Sequence, residues 1–233
     1  MVRPALLLVI GACGGGGSGT GDAAGSGDGT VCDCILPDAP DEIDAAPQPK
    51  GTHVFQVDLA DEAANPTGNW MIVGFDNLNS LVNGIPDFAT GQATTVTLQT
   101  GLWTVTETNA NNWTAGTVDW LPAIVAQDNV AGSAVATLPS TIRFGKLDGR
   151  YKVEVVVAHY SASAAAHVDV NGQTTTTTHN GAAGKNSAAW SPLNDGTTAA
   201  DWLVWPDVTP QSGGVIVIDV LPGHANAVRL SPP

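Results

Sequence analysis

Beyond Gly51, apolar and polar residues alternate along much of the chain. In His53-Val54-Phe55-Gln56-Val57-Asp58-Leu59, Phe55, Val57 and Leu59 fall on one face and Gln56 and Asp58 on the other. A period of two is the signature of a strand with one buried face. The same alternation predicts strands over 94–99 and 102–108. Tyr151-Lys152-Val153-Glu154-Val155 alternates and then turns wholly apolar through Val156 and Val157, which predicts a strand covered on both sides. Val215 to Val220 reads as another buried strand, and Ala225 to Leu230 as the last. Between Ala166 and His179, Asn171-Gly172 interrupts two strand-like runs. Both residues tolerate positive φ, so this pair predicts a two-residue hairpin turn. No stretch of a dozen residues after 51 keeps the helical period. Short strands separated by Gly, Pro and Asn predict an all-β fold, an antiparallel β-sandwich.

Composition sets where that fold begins. Every Trp, Tyr and Phe of the 233 residues lies beyond Gly51. Residues 14–49 are Gly, Ser, Ala, Pro and Asp with almost nothing to bury, and are expected to be disordered. The glycine run Gly14 to Gly17 is a flexible coil, and the Pro- and Asp-spaced segment 37–49 a stiffer one. The expected organisation is a signal segment over 1–12, a tether over 13–50 and a sandwich domain over 51–233. About 180 residues suffice for one substantial core.

The net charge is −14, and 14–49 alone carries seven acidic residues and no basic one. Such a surface repels phosphate backbones, which argues against nucleic acid as a partner. It would repel an anionic membrane too, so membrane attachment needs a separate anchor.

The first thirteen residues supply a candidate anchor. Arg3 precedes an apolar run, Ala5 to Ile10, which is followed by Gly11, Ala12 and Cys13. A cationic start, a short apolar segment and a small-residue cleavage site make a secretory signal. The run is too short to span a bilayer, which takes about 20 residues. Ile10-Gly11-Ala12-Cys13 resembles a bacterial lipoprotein box. That resemblance implies cleavage before Cys13, lipidation of its thiol and membrane attachment through the lipid. Gly14 is not acidic, and by the same resemblance an envelope with two membranes would hold the protein at the outer one. Export permits disulfides at Cys32 and Cys34, either a small strained ring between the two or a bridge between two chains, but two cysteines alone do not make a metal site.

Several motifs of the domain carry a second resemblance. They are Val57-Asp58-Leu59, Gly68-Asn69-Trp70, Asp148-Gly149-Arg150-Tyr151-Lys152-Val153, Val168-Asp169-Val170-Asn171-Gly172 and the closing Asn226-Ala227-Val228. Together they resemble the galactose-binding-like jelly-roll domains of bacterial extracellular proteins. The resemblance implies a jelly-roll β-sandwich and, in many members, carbohydrate binding. It also implies a structural calcium where the first and last strands run side by side, for which Asp58 and Asp219 are the candidate oxygen ligands.

Catalytic chemistry finds little to attach to. There is no nucleophile elbow, and the five histidines show no paired ligand spacing. Asp76, Asp119, Asp128 and Glu154 are all conceivable acids, which singles out none. Glu154 stands on an otherwise apolar strand and is expected to face outward, paired with a neighbour. Seven tryptophans suggest stacking on the apolar faces of sugars. Trp113 beside Asn112, Trp190 and Trp120 are the candidate ligand contacts. Trp70 is expected in the core, and Trp202 and Trp205 are expected to pack a loop. The expected function is a lipid-anchored envelope module that binds a glycan or another envelope component. The alternatives are a structural or interaction protein without a small ligand, and a glycan-active enzyme.

Overall fold

A computed structural model describes residues 46–59, 66–74, 76–107, 118–122, 124–125, 129–132, 138–157, 167–175, 189–190, 202–221 and 224–233. Cys13, Cys32, Cys34, Asn112, Trp113 and the tether up to 45 lie outside them. Residues from Ala46 to Pro233 group into one compact unit.

Two six-stranded sheets make the sandwich. The back sheet runs, in order, β11 (Ala189–Trp190), β12 (Trp202–Val208), β8 (Tyr151–Val156), β15 (Ala227–Ser231), β1 (Phe55–Asp58) and β2 (Met71–Ile72). The front sheet runs β10 (Gln173–Thr174), β9 (His167–Val170), β13 (Ile216–Leu221), β7 (Ser140–Gly145), β4 (Thr97–Gly101) and β3 (Leu81–Asn83). A small third sheet joins β14 (His224–Ala225), β6 (Asn129–Ala131) and β5 (Val105–Glu107). Pairing is antiparallel except at the two edges of the back sheet, where β1–β2 and β11–β12 are parallel. The fold is thus the all-β sandwich that the alternation implies.

The alternating residues do what their period dictates. Phe55, Val57, Val153, Val155, Leu203, Trp205, Val228 and Leu230 of the back sheet point inward. They meet Leu98, Ile142, Phe144, Val168, Val170, Ile216, Ile218 and Val220 of the front sheet in one buried cluster. Each such side chain contributes about 1.5–3 kcal/mol by leaving water. Asn171 and Gly172 form the β9–β10 turn with φ of 52° and 90°. The first and last strands lie side by side, Phe55 opposite Leu230 and Val57 opposite Val228.

Two expectations change. Trp202 and Trp205 sit within strand β12, not in a packed-down loop. Strand β7 lies over Ser140–Gly145, for which the alternation predicted no strand; there Ile142 and Phe144 point inward and Thr141 and Arg143 outward.

Candidate functional site

The outer face of the back sheet is covered rather than open. Residues that alternate outward there include Gln56, Asp58, Glu154, Val156, Ala227, Arg229 and Trp202. The strand registers align Gln56, Arg229, Glu154 and Val204 in one row and Asp58, Ala227, Val156 and Trp202 in the next. Trp70, Val118, Leu121 and Val125 pack over Val156 and Ala227 as a second apolar cluster, with Phe88, Trp120 and Trp202 at its margin.

Glu154 is at the centre of this face. Its side chain is fully buried, and Lys152 Nζ approaches it at 3.1 Å and Arg229 at 3.5 Å. Trp120 Nε1 donates to its Oε1 at 3.2 Å. Glu154 therefore faces outward and is paired, as expected, but it has no contact with water. The Arg229 guanidinium lies 5.7 Å from the Trp120 ring centre, a cation–π contact, and Trp70 lies 6.1 Å away on a tilted ring. These contacts dock residues 118–122 on the sheet.

Of the four candidate ligand residues, the structure describes the side chain of Trp120 alone. Trp120 is half-buried, with its N–H given to Glu154. Trp190 is placed by its backbone in β11, registered with Leu203. Asn112 and Trp113 fall outside the described residues. Trp70, Trp103 and Trp205 are buried and Trp202 is half-buried, so no described tryptophan side chain is exposed.

The candidate calcium ligands are not brought together. Asp58 faces outward from the back sheet and is 2% exposed. Asp219 faces outward from the front sheet, opposite Asp169 on β9 and Thr141 on β7. They project from opposite sides of the sandwich, so one ion cannot bridge both. Among the described residues no three His, Cys, Asp or Glu side chains gather as a metal site.

The outer face of the front sheet carries an open hollow. Gln99, Thr100, Gly101, Thr141, Arg143 and Val217 line a space of about 190 Å³. Registers explain the lining. Leu81, Gln99, Arg143 and Val217 form one cross-strand row; Gly101, Thr141, Asp219, Asp169 and Thr174 form the next. Gly101 keeps the end of the second row low, since a Cβ there would come 3.0 Å from Thr141 Oγ1. Trp103 supports the floor from below: its Nε1 donates to the Thr141 carbonyl at 3.0 Å, and Asn79 clamps its backbone at both N–H and C=O.

Two carboxylates sit at the far side of this face. Asp169 accepts from the Gly172 N–H and the Thr174 hydroxyl, both at 2.6 Å. Asp219 Oδ1 is buried and makes no hydrogen bond. Burial pushes the Asp219 carboxyl above the usual carboxylate range, and repulsion from Asp169 adds to this.

Gln99, Thr141, Arg143 and Val217 did not stand out in the sequence. The signal available was Thr141 and Arg143 alternating with Ile142 and Phe144, which reveals an outward-facing pair only once β7 is recognised as a strand.

No protein-family model matches this chain, and no curated protein shows significant similarity to it.

Proposed function

We propose that the chain is a cell-envelope binding module, held by a lipid on Cys13, that recognises a saccharide on the outer face of the front sheet. The observation that carries this reading is the hollow at Gln99, Thr141, Arg143 and Val217. Its space of about 190 Å³ is below the 300–1,000 Å³ of drug-sized pockets and suits about one sugar ring. Val217 offers an apolar floor for ring C–H groups, and the surrounding amide, hydroxyl and guanidinium groups suit ring hydroxyls. The galactose-binding-like family is part of this proposal, supported by the β1–β15 pairing and the Asn171-Gly172 hairpin. Residues of the other candidate surface, Asn112, Trp113, Trp120 and Trp190, would make a second contact region.

Retention of the purified protein on immobilised polysaccharides tests the reading. Gln99→Ala should weaken retention several-fold without lowering the melting temperature, because Gln99 is exposed. Failure of the unaltered protein to be retained on any polysaccharide would overturn it. A second reading, a structural envelope protein without a small ligand, is favoured by the absence of exposed described tryptophans. It predicts that same failure.

A further inference from the structure

We infer that the front-sheet hollow selects a carboxylate-bearing sugar, a uronate residue, with Arg143 as the group that holds the carboxylate. This rests on the saccharide reading above.

The described residues include six basic side chains: Lys50, Arg143, Lys146, Arg150, Lys152 and Arg229. Four of them are engaged. Lys50 Nζ donates to the Pro233 carbonyl, and Arg150 to Asp207 and the Gln48 carbonyl. Lys152 and Arg229 share Glu154. Lys146 and Arg143 have no ion pair or hydrogen bond, and of these two only Arg143 lines the hollow. An unclaimed guanidinium is unexpected in a chain with 22 acidic residues against 8 Lys and Arg. Its cross-strand neighbours are Gln99 and Val217, neither of them acidic.

The surroundings of Arg143 suit a carboxylate. A guanidinium is a planar fork of five donors that meets a carboxylate through two parallel hydrogen bonds. Gln99 beside it can donate and accept, and Thr141 supplies a hydroxyl; both suit sugar hydroxyls. Val217 completes the floor. On the neighbouring row Asp219 and Asp169 repel a negative group, so the ligand carboxylate is confined to the Arg143 side. One guanidinium balances one carboxylate. A sugar phosphate, with nearly two charges, would leave an excess facing Asp169 and Asp219. The net charge of −14 does not bar a polyanion, because exposed charges more than about 8 Å from the bound carboxylate are largely screened at physiological salt.

The test is binding of the purified full chain to polygalacturonate, to its fully methyl-esterified form, and to a neutral galactan, by affinity electrophoresis and calorimetry. Polygalacturonate should bind, and esterification should weaken binding about tenfold or more. Arg143→Gln and Arg143→Lys should each cause a similar loss, the lysine variant because it keeps the charge and lacks the fork. Arg143 is exposed, so unchanged thermal melting should show that both variants fold. Wild-type binding by Arg143→Gln, or equal binding of the esterified polymer, overturns the carboxylate inference and leaves the saccharide reading standing. Competition by acetate or sulfate as effective as by galacturonate overturns the sugar as the ligand. No binding to any of the three polymers overturns the uronate inference, and the saccharide reading falls with it only if the protein is also retained on no other immobilised polysaccharide.

Discussion

Glu154 is a carboxylate without water around it, and its three partners replace that water. Glu154 is the buried member, so removing its charge leaves two part-exposed cations without their shared partner, at a cost of about 1–2 kcal/mol. Glu154→Gln should therefore lower the urea midpoint markedly, because Lys152 and Arg229 would lose their shared charge. An unchanged midpoint would mean that the pair contributes nothing net. Asp219 behaves in the opposite sense. Its folded-state carboxyl titrates above the unfolded value of about 3.9, so its ionisation weakens the fold. Its contribution is fully present below the unfolded value and is lost as pH rises through the folded one. Asp219→Asn should raise the melting temperature by a few degrees at pH 7, and the gain should vanish near pH 3. Asp87 is the converse again. Burial works to raise its carboxyl, but hydrogen bonds from Ala89, His53, Val54 and Thr90 outweigh burial and hold it below the usual range. The stability it supplies is present above the unfolded carboxylate value and lost as pH falls through the lower folded one.

At the scale of elements, the strands with the clearest alternation were legible in the sequence: β1, β4, β8, β13 and the β9–β10 hairpin. What they share is a local signal, either a period of two or a turn that needs positive φ. Strand β7 was not legible, because six residues hold only two inward apolar positions, Ile142 and Phe144, beside Thr141 and Arg143. The hollow was hidden for the same reason: its lining comes from three strands that only register brings together. The outward Asp58 and Asp219 look alike in sequence, yet they belong to different sheets, which a one-dimensional pattern does not encode. Two glycines separate turn chemistry from packing. Gly172 has φ of 90° with nothing near a new Cβ, so Gly172→Ala should cost only about 1 kcal/mol, the strain of the left-handed backbone. Gly51 lies under the Tyr151 ring, and a Cβ would fall 2.1 Å from Cζ. Gly51→Ala should cost about 3 kcal/mol or leave the protein unfolded. Chemical denaturation of the two variants side by side checks the contrast.

For the molecule as a whole, the proposed arrangement is an anchor, a spacer and a sandwich that presents its front face. Cys13→Ser should move the protein from the membrane fraction to the soluble one, and continued membrane binding would remove the anchor from the account. Trp113→Ala tests the second contact region, and a loss of retention there with Arg143→Gln unaffected would move the site off the front sheet. The structure near residues 46–52 has one more consequence. Here the chain is held before it reaches β1. The Thr52 hydroxyl and the Tyr151 hydroxyl both donate to Asp148, each at 2.5 Å, and Arg150 holds the Gln48 carbonyl at 2.8 Å. Gly149 lets the backbones of 49–51 and 149 approach closely. In a domain pulled through residue 46 while its front face holds a fixed glycan, tension would enter at this clamp. Antiparallel β1 and β15 would otherwise open one hydrogen bond at a time, like a zipper, from the Phe55 end. The clamp spreads the load across several bonds before that peeling starts. Under such a load the clamp would act as a fastener, and the rupture force, measured by pulling from residue 46, should fall with Asp148→Asn.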